Sequence, residues 1–174
     1  MMKHPFFLFF ACALSVVSIE AIADCADPNF DWSATNPPVN VRHVFCGEFN
    51  AQGRPTGVHS MAIVNTSAIV LGVNNPVPLG NGIFNATVTF TNNGIQSQKM
   101  STFFPNTCSE AQVTHSIVYA ANNQTGPALP WGVLGPSAPQ ANDNTYCLGS
   151  NGQPITIRMG LINNNTQVNT AFPN

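Results

Sequence analysis

Charge is what this chain has least of. Lysine and arginine together number five, aspartate and glutamate seven, and charged residues make up 7% of the 174. The net charge is −2 with neutral histidines. Tight non-specific binding to nucleic acid rests on many phosphate contacts, so this scarcity of cations excludes it. A small cleft that handles one or two phosphates is not excluded. The chain also lacks a glycine-rich phosphate loop, a serine nucleophile elbow, a Cys-His protease signature and a zinc protease motif. A zinc site fits poorly, because no two cysteines lie at ligand spacing and only His115 is near Cys108 and Cys147. The apolar run Phe6 to Ile19 falls short of the ~20 residues that a membrane span needs.

That run has another meaning. It follows the short basic start Met1 to His4 and precedes Ala21-Ile22-Ala23, which fits small-x-small cleavage. Residues 1–23 are therefore expected to be a signal peptide cut after Ala23. A lipoprotein site does not fit, because Asp24 precedes Cys25 where a small residue is needed. The expected location is exported, periplasmic or secreted, with no membrane association after cleavage. Of five cysteines, Cys12 leaves with the signal. The even set Cys25, Cys46, Cys108 and Cys147 favours two disulfides in an oxidising compartment. Four cysteines allow three connectivities and the sequence does not choose; Cys25–Cys46 with Cys108–Cys147 is the preferred pairing.

Residues 24–40 hold Asp27-Pro28-Asn29 and Asn36-Pro37-Pro38 and read as an irregular lead-in. One domain over 41–174 follows. Val41, His43 and Phe45 alternate with Arg42, Val44 and Cys46, which predicts a strand carrying His43 on its apolar face. Asn50, Gln52, Gly53 and Pro55 predict a turn before a second extended stretch with His59. Ser60–Val64 and Ala68–Val73 are short apolar runs, with turn signals at Asn74-Asn75-Pro76 and Gly80-Asn81-Gly82. A strand over 83–91, the turn Asn92-Asn93-Gly94 and a partner over 95–103 make a hairpin. Thr107 to Glu110 reads as a capping box, and Val113, Ile117, Ala120 and Ala121 follow helical spacing to Asn122-Asn123. Residues 124–145 read as a long loop. Strands over 154–162 and 166–172 flank Asn163-Asn164-Asn165. The fold class is α+β, with mainly antiparallel sheets flanking a cleft and one clear helix.

The chemistry rests on histidine. The chain has four, and two sit in short motifs: Arg42-His43-Val44-Phe45-Cys46-Gly47-Glu48 and Gly57-Val58-His59-Ser60. One imidazole near neutrality takes a proton while another gives one, an arrangement that breaks phosphodiesters. Either histidine alone is more often structural. Lys99, the one lysine after residue 23, is suited to stabilising a phosphorane; a solvated strand lysine is the plainer reading. His115 reads as a surface or packing residue. Glu48 is assigned capping or pairing with Arg42 or Arg54, and no catalytic role.

Four segments, in order, then carry a resemblance: His43-Val-Phe-Cys-Gly-Glu48, Gly57-Val-His59-Ser60, Thr102-Phe-Phe-Pro105 and Thr170-Ala-Phe-Pro173. Over residues 41–173 the chain resembles the bacterial EndoU endoribonucleases. The resemblance implies metal-independent or manganese-stimulated cleavage of RNA at uridylates. The ribose 2′-OH attacks its own phosphate and leaves a 2′,3′-cyclic phosphate and a 5′-OH. His43 and His59 match the family's general base and general acid, in an order the match does not set. Lys99 matches its lysine, Thr170 the hydroxyl that reads the uracil edge, and Phe172 the stacking ring where many members have tyrosine. The implied fold is α+β, with antiparallel sheets flanking the cleft and helices outside. RNA is the implied partner, and a released toxin also needs an immunity protein. Two alternatives come from other classes: a catalytically inactive, disulfide-stapled binding module that kept the fold, and an unrelated periplasmic structural protein.

Overall fold

The computed structural model describes residues 24–174. The expected signal peptide and Cys12 lie outside the described residues. The chain is α+β. Its elements are a π-helical turn Arg42–Cys46, strands β1 (Glu48–Phe49), β2 (Pro55–Thr56), β3 (Val70–Gly80), β4 (Ile83–Asn92) and β5 (Ile95–Phe103), helix α1 (Glu110–Asn122), and strands β6 (Gly126–Pro127), β7 (Val133–Pro136), β8 (Thr156–Ile162) and β9 (Gln167–Pro173). All pairings between named strands are antiparallel, in sheets β1-β2, β3-β4-β5 and β6-β7-β8-β9.

The β4–β5 hairpin follows from alternation. Phe84, Ala86, Val88 and Phe90 are buried at every second position. Asn93 and Gly94, with φ of 49° and 80°, make the left-handed turn that matches strand twist. These side chains join Val58, Val64 and Phe103 in one apolar cluster. A second cluster lies beneath the other sheet. There Val113, Ile117 and Ala120 of α1 meet Ile157 and Met159 of β8 and Val168 and Ala171 of β9, with Val44 and Phe45 of the π-helical turn. β5 and β9 approach each other where the two sheets meet.

Cys25 is bonded to Cys46 and Cys108 to Cys147. That is the preferred pairing of the three. Among the described residues no helix is long and apolar enough to cross a membrane.

Several local expectations are overturned. Residues 41–46 form no strand. Val44 N–H reaches Asn40 O, Gly47 N–H reaches back five residues to Arg42 O, and Asn40 Oδ1 accepts from His43 N–H at 2.9 Å. Val41 and Phe45 lie four apart, a spacing that a helical turn satisfies as well as a strand. Val44 and Cys46 are buried too, which a one-sided strand would not allow. The helix cap is Ser109 with Gln112, each side chain accepting from the other's backbone N–H, rather than Thr107 with Glu110. The two patterns overlap, and Cys108 N–H closes a turn onto Pro105 that keeps Thr107 ahead of the helix. Asn74-Asn75-Pro76 is an irregularity inside β3, where the register shifts between Asn74 and Val77. Within 124–145, the short strands β6 and β7 extend the sheet. Ser60–Val64 runs through bends into a 3₁₀ turn.

Candidate active site

One cleft of about 340 Å³ lies at the meeting of the sheets, lined by His43, Gly57, His59, Lys99, Thr170 and Phe172 among others. The structure thus brings together every candidate catalytic and substrate-binding residue. It places His115 elsewhere, on α1, with Nδ1 3.3 Å from Thr145 O.

His43 is carried by the π-helical turn. Cys46 at its end is tied to Cys25, and Arg42 at its start pairs with Asp31 and donates to Cys25 O and Asp27 O. His59 has no strand beneath it. Gly57 and Val58 both adopt positive φ, 77° and 61°, the second rare for a β-branched residue. Val58 N–H then donates to His43 O at 2.9 Å and His59 N–H to Val44 O. The two histidine segments are therefore hydrogen-bonded to each other. Gly57 is required at this contact, because a Cβ there would overlap the His43 carbonyl. The imidazole centroids lie 5.8 Å apart, inclined by 29°.

The two Nδ1 atoms have different partners. His43 Nδ1 lies 2.8 Å from Glu48 Oε1, and His59 Nδ1 lies 2.9 Å from Thr102 O. A carbonyl and an ionised carboxylate both accept only, so each Nδ1 carries hydrogen. Neither Nε2 is hydrogen-bonded among the described residues. Burial pushes the His59 pKa well below 6.5. The positive charge of Lys99 adds to this, then that of His43, and the Thr102 bond opposes it. His59 is thus neutral at neutral pH, with a bare Nε2. Glu48 is the residue that sequence reasoning passed over. It pairs with neither arginine. The signal was its position five residues after His43, which is uninformative along a strand but adjacent around this turn.

Lys99, on β5, is not a solvated strand lysine. Its Nζ donates to Gly57 O at 2.8 Å and to Ser101 Oγ at 2.6 Å. Burial lowers its pKa to about 8, so it is mostly charged at neutral pH. An ammonium has three hydrogens, which leaves one for a ligand. Phe172 stacks on His59 with centroids 5.0 Å apart, and Thr170 lies two residues before it on the same strand face. Trp131, not singled out from the sequence, also lines the cleft. Among the described residues no group of three His, Cys, Asp or Glu side chains is placed to hold a metal ion.

A base with a bare Nε2, a second imidazole oriented by a carboxylate and an adjacent ammonium are the groups that a phosphate displacement needs. The family model for the bacterial EndoU nuclease matches residues 39–174, which contain the whole cleft. No curated protein and no solved structure gives a match.

Proposed function

The chain belongs to the bacterial EndoU nuclease family, and from that premise we propose that it is an exported endoribonuclease which cleaves single-stranded RNA at uridylates. The observation that carries this is the unequal pairing of two neighbouring imidazoles, one on a carboxylate and one on a carbonyl. In the proposed reaction, His59 Nε2 takes the proton of the ribose 2′-OH. The freed oxygen attacks the adjacent phosphorus, and the P–O5′ bond breaks. His43 Nε2 delivers a proton to the departing 5′ oxygen. The products are a 2′,3′-cyclic phosphate and a 5′-OH, with one proton taken and one given.

In this reaction His43 acts as the imidazolium: Glu48 accepts from its Nδ1–H, orients the ring and stabilises its charge, and the Nε2–H is the proton delivered. Lys99 meets the charge that builds on the phosphorane oxygens. Phe172 offers a face to the base, and the Thr170 hydroxyl selects the uracil edge. The step assigns every proton and charge to a side chain. Manganese is left a stimulating role at most.

Export is proposed from the N-terminal pattern, and the two disulfides fit a non-cytoplasmic setting. The boundaries 1–23, 24–40 and 41–174 belong to the same proposal. A toxin or a scavenging nuclease both suit such a product; the toxin needs an immunity protein.

The test is cleavage of a short oligoribonucleotide with one uridine by the disulfide-bonded protein, in EDTA and in Mn²⁺, beside His59→Ala. A cut leaving a cyclic phosphate, lost in the variant, is the expected result. No cut by a protein that melts cooperatively would turn the reading to the inactive binding module.

A further inference from the structure

Trp131 has no part in the reaction proposed above, yet it is built into the same cleft. It lies on the connection between β6 and β7 and is 47% exposed. Three neighbours hold it. It forms a T-shaped pair with Phe172 of β9, with centroids 5.8 Å apart and planes at 62°. The Arg158 guanidinium of β8 lies over the ring, 5.6 Å from the centroid. Arg158 is itself fixed, donating to Leu129 O at 3.0 Å and Asn174 Oδ1 at 3.1 Å. At Gly160 the ring settles on β8, where an added Cβ would lie 3.4 Å from the indole. A ring so braced and still half open presents a fixed aromatic surface beside the one that Phe172 offers.

We infer that Trp131 and Phe172 are two adjoining base platforms, one for each nucleotide flanking the scissile phosphate. The minimal substrate is then a dinucleotide step rather than a lone uridylate. This rests on the endoribonuclease reading and extends it. The 62° between the rings matters most. Bases in a helical stack are nearly parallel, whereas bases on these two platforms are splayed apart. The cleft therefore takes single strands that unstack at the cut and refuses duplex. Phe172 has Thr170 beside it for an edge contact. Trp131 offers a face, so its nucleotide is selected by stacking strength, with purine preferred to pyrimidine.

The experiment compares kcat/KM for uridylyl-(3′,5′)-adenosine with that for uridine 3′-methyl phosphate, which keeps the scissile bond but lacks the second base. In Trp131→Ala the ratio of the two falls about tenfold to a hundredfold, and Trp131→Phe retains most of it. An equal fall on both substrates, or no fall, overturns the proposal. A binding arm is independent of catalysis. In a Trp32→Phe background Trp131 is the single tryptophan. An uncleavable 2′-O-methyl dinucleotide should alter its fluorescence, and uridine 3′-methyl phosphate should not. Cleavage without that signal sinks the second platform alone. The signal without cleavage keeps the platform and sinks the nuclease reading.

Discussion

Two imidazoles 5.8 Å apart differ in what their Nδ1 atoms touch, and the proposed reaction gives them opposite tasks on that ground. For His59 the cost of charging is burial beside a cation, so the base form persists to acid pH. For Lys99 the ammonium is lost above about pH 8. To the kcat/KM profile His59 should therefore contribute an acid limb only below pH 6.5, and Lys99 an alkaline limb near 8. Lys99→Arg should move the alkaline limb upward. Stability follows a related sign. Both groups have folded pKa values below their unfolded ones, so the unfolded chain binds more protons. His59 therefore contributes a loss of stability as pH falls through 6.5 toward its folded value. Lys99 contributes a rise between about 8 and 10.5, which Lys99→Met abolishes in melting curves across that range. At Glu48 the expected outcome is graded. Glu48→Ala should lower kcat about tenfold to a hundredfold, with little change in KM, because a misoriented acid acts in the transition state. Glu48→Gln keeps an accepting oxygen on Nδ1 and should lose less.

The element that makes the site is the joint between the π-helical turn and the Gly57-Val58-His59 segment. Gly57→Ala introduces a methyl into the His43 carbonyl at a positive φ. It should cost more than 1 kcal/mol in denaturant melts and lower activity further than the stability loss explains, since both histidines move. Reduction of Cys25–Cys46 should act on the same turn. The bond closes a loop of sequence separation 21 and should contribute about 3 kcal/mol. An assay in reductant, with circular dichroism alongside, should show activity falling before secondary structure does. This joint was the least legible part of the sequence. The hairpin Ile83–Phe103, helix α1 and the β8–β9 pair declare themselves by alternation, capping and asparagine turns. The π-helical turn does not, because its spacing imitates a strand and its bonds depend on Asn40 Oδ1 and a disulfide made far away in sequence. The candidate residues were nonetheless identifiable, since histidine and lysine are so few here. What the sequence could not carry was their support: Gly57 O, Thr102 O and Val44 O are backbone atoms that any residue supplies.

Over the whole molecule, low charge has a measurable signature. In the proposed reaction Lys99 is the cleft cation, with Arg158 nearby, and one or two phosphates would be contacted. Binding to single strands should then weaken with a log–log salt slope of about −1, shallow for a nucleic-acid enzyme and checkable with an uncleavable oligonucleotide between about 50 and 200 mM salt. A slope several times steeper would require cations that the cleft does not hold. The two apolar clusters divide the molecule unevenly. All four paired cysteines belong to the cluster beneath β8 and β9. The cluster beneath β4 has none. His43, Thr170 and Phe172 stand on the clamped side of the cleft, while Lys99 and the carbonyl that anchors His59 stand on the unclamped one. Wear under heat or denaturant should accordingly part the tool before it breaks the handle: the jaw carrying the lysine lets go first, the riveted body keeps its shape, and cooling closes the grip again.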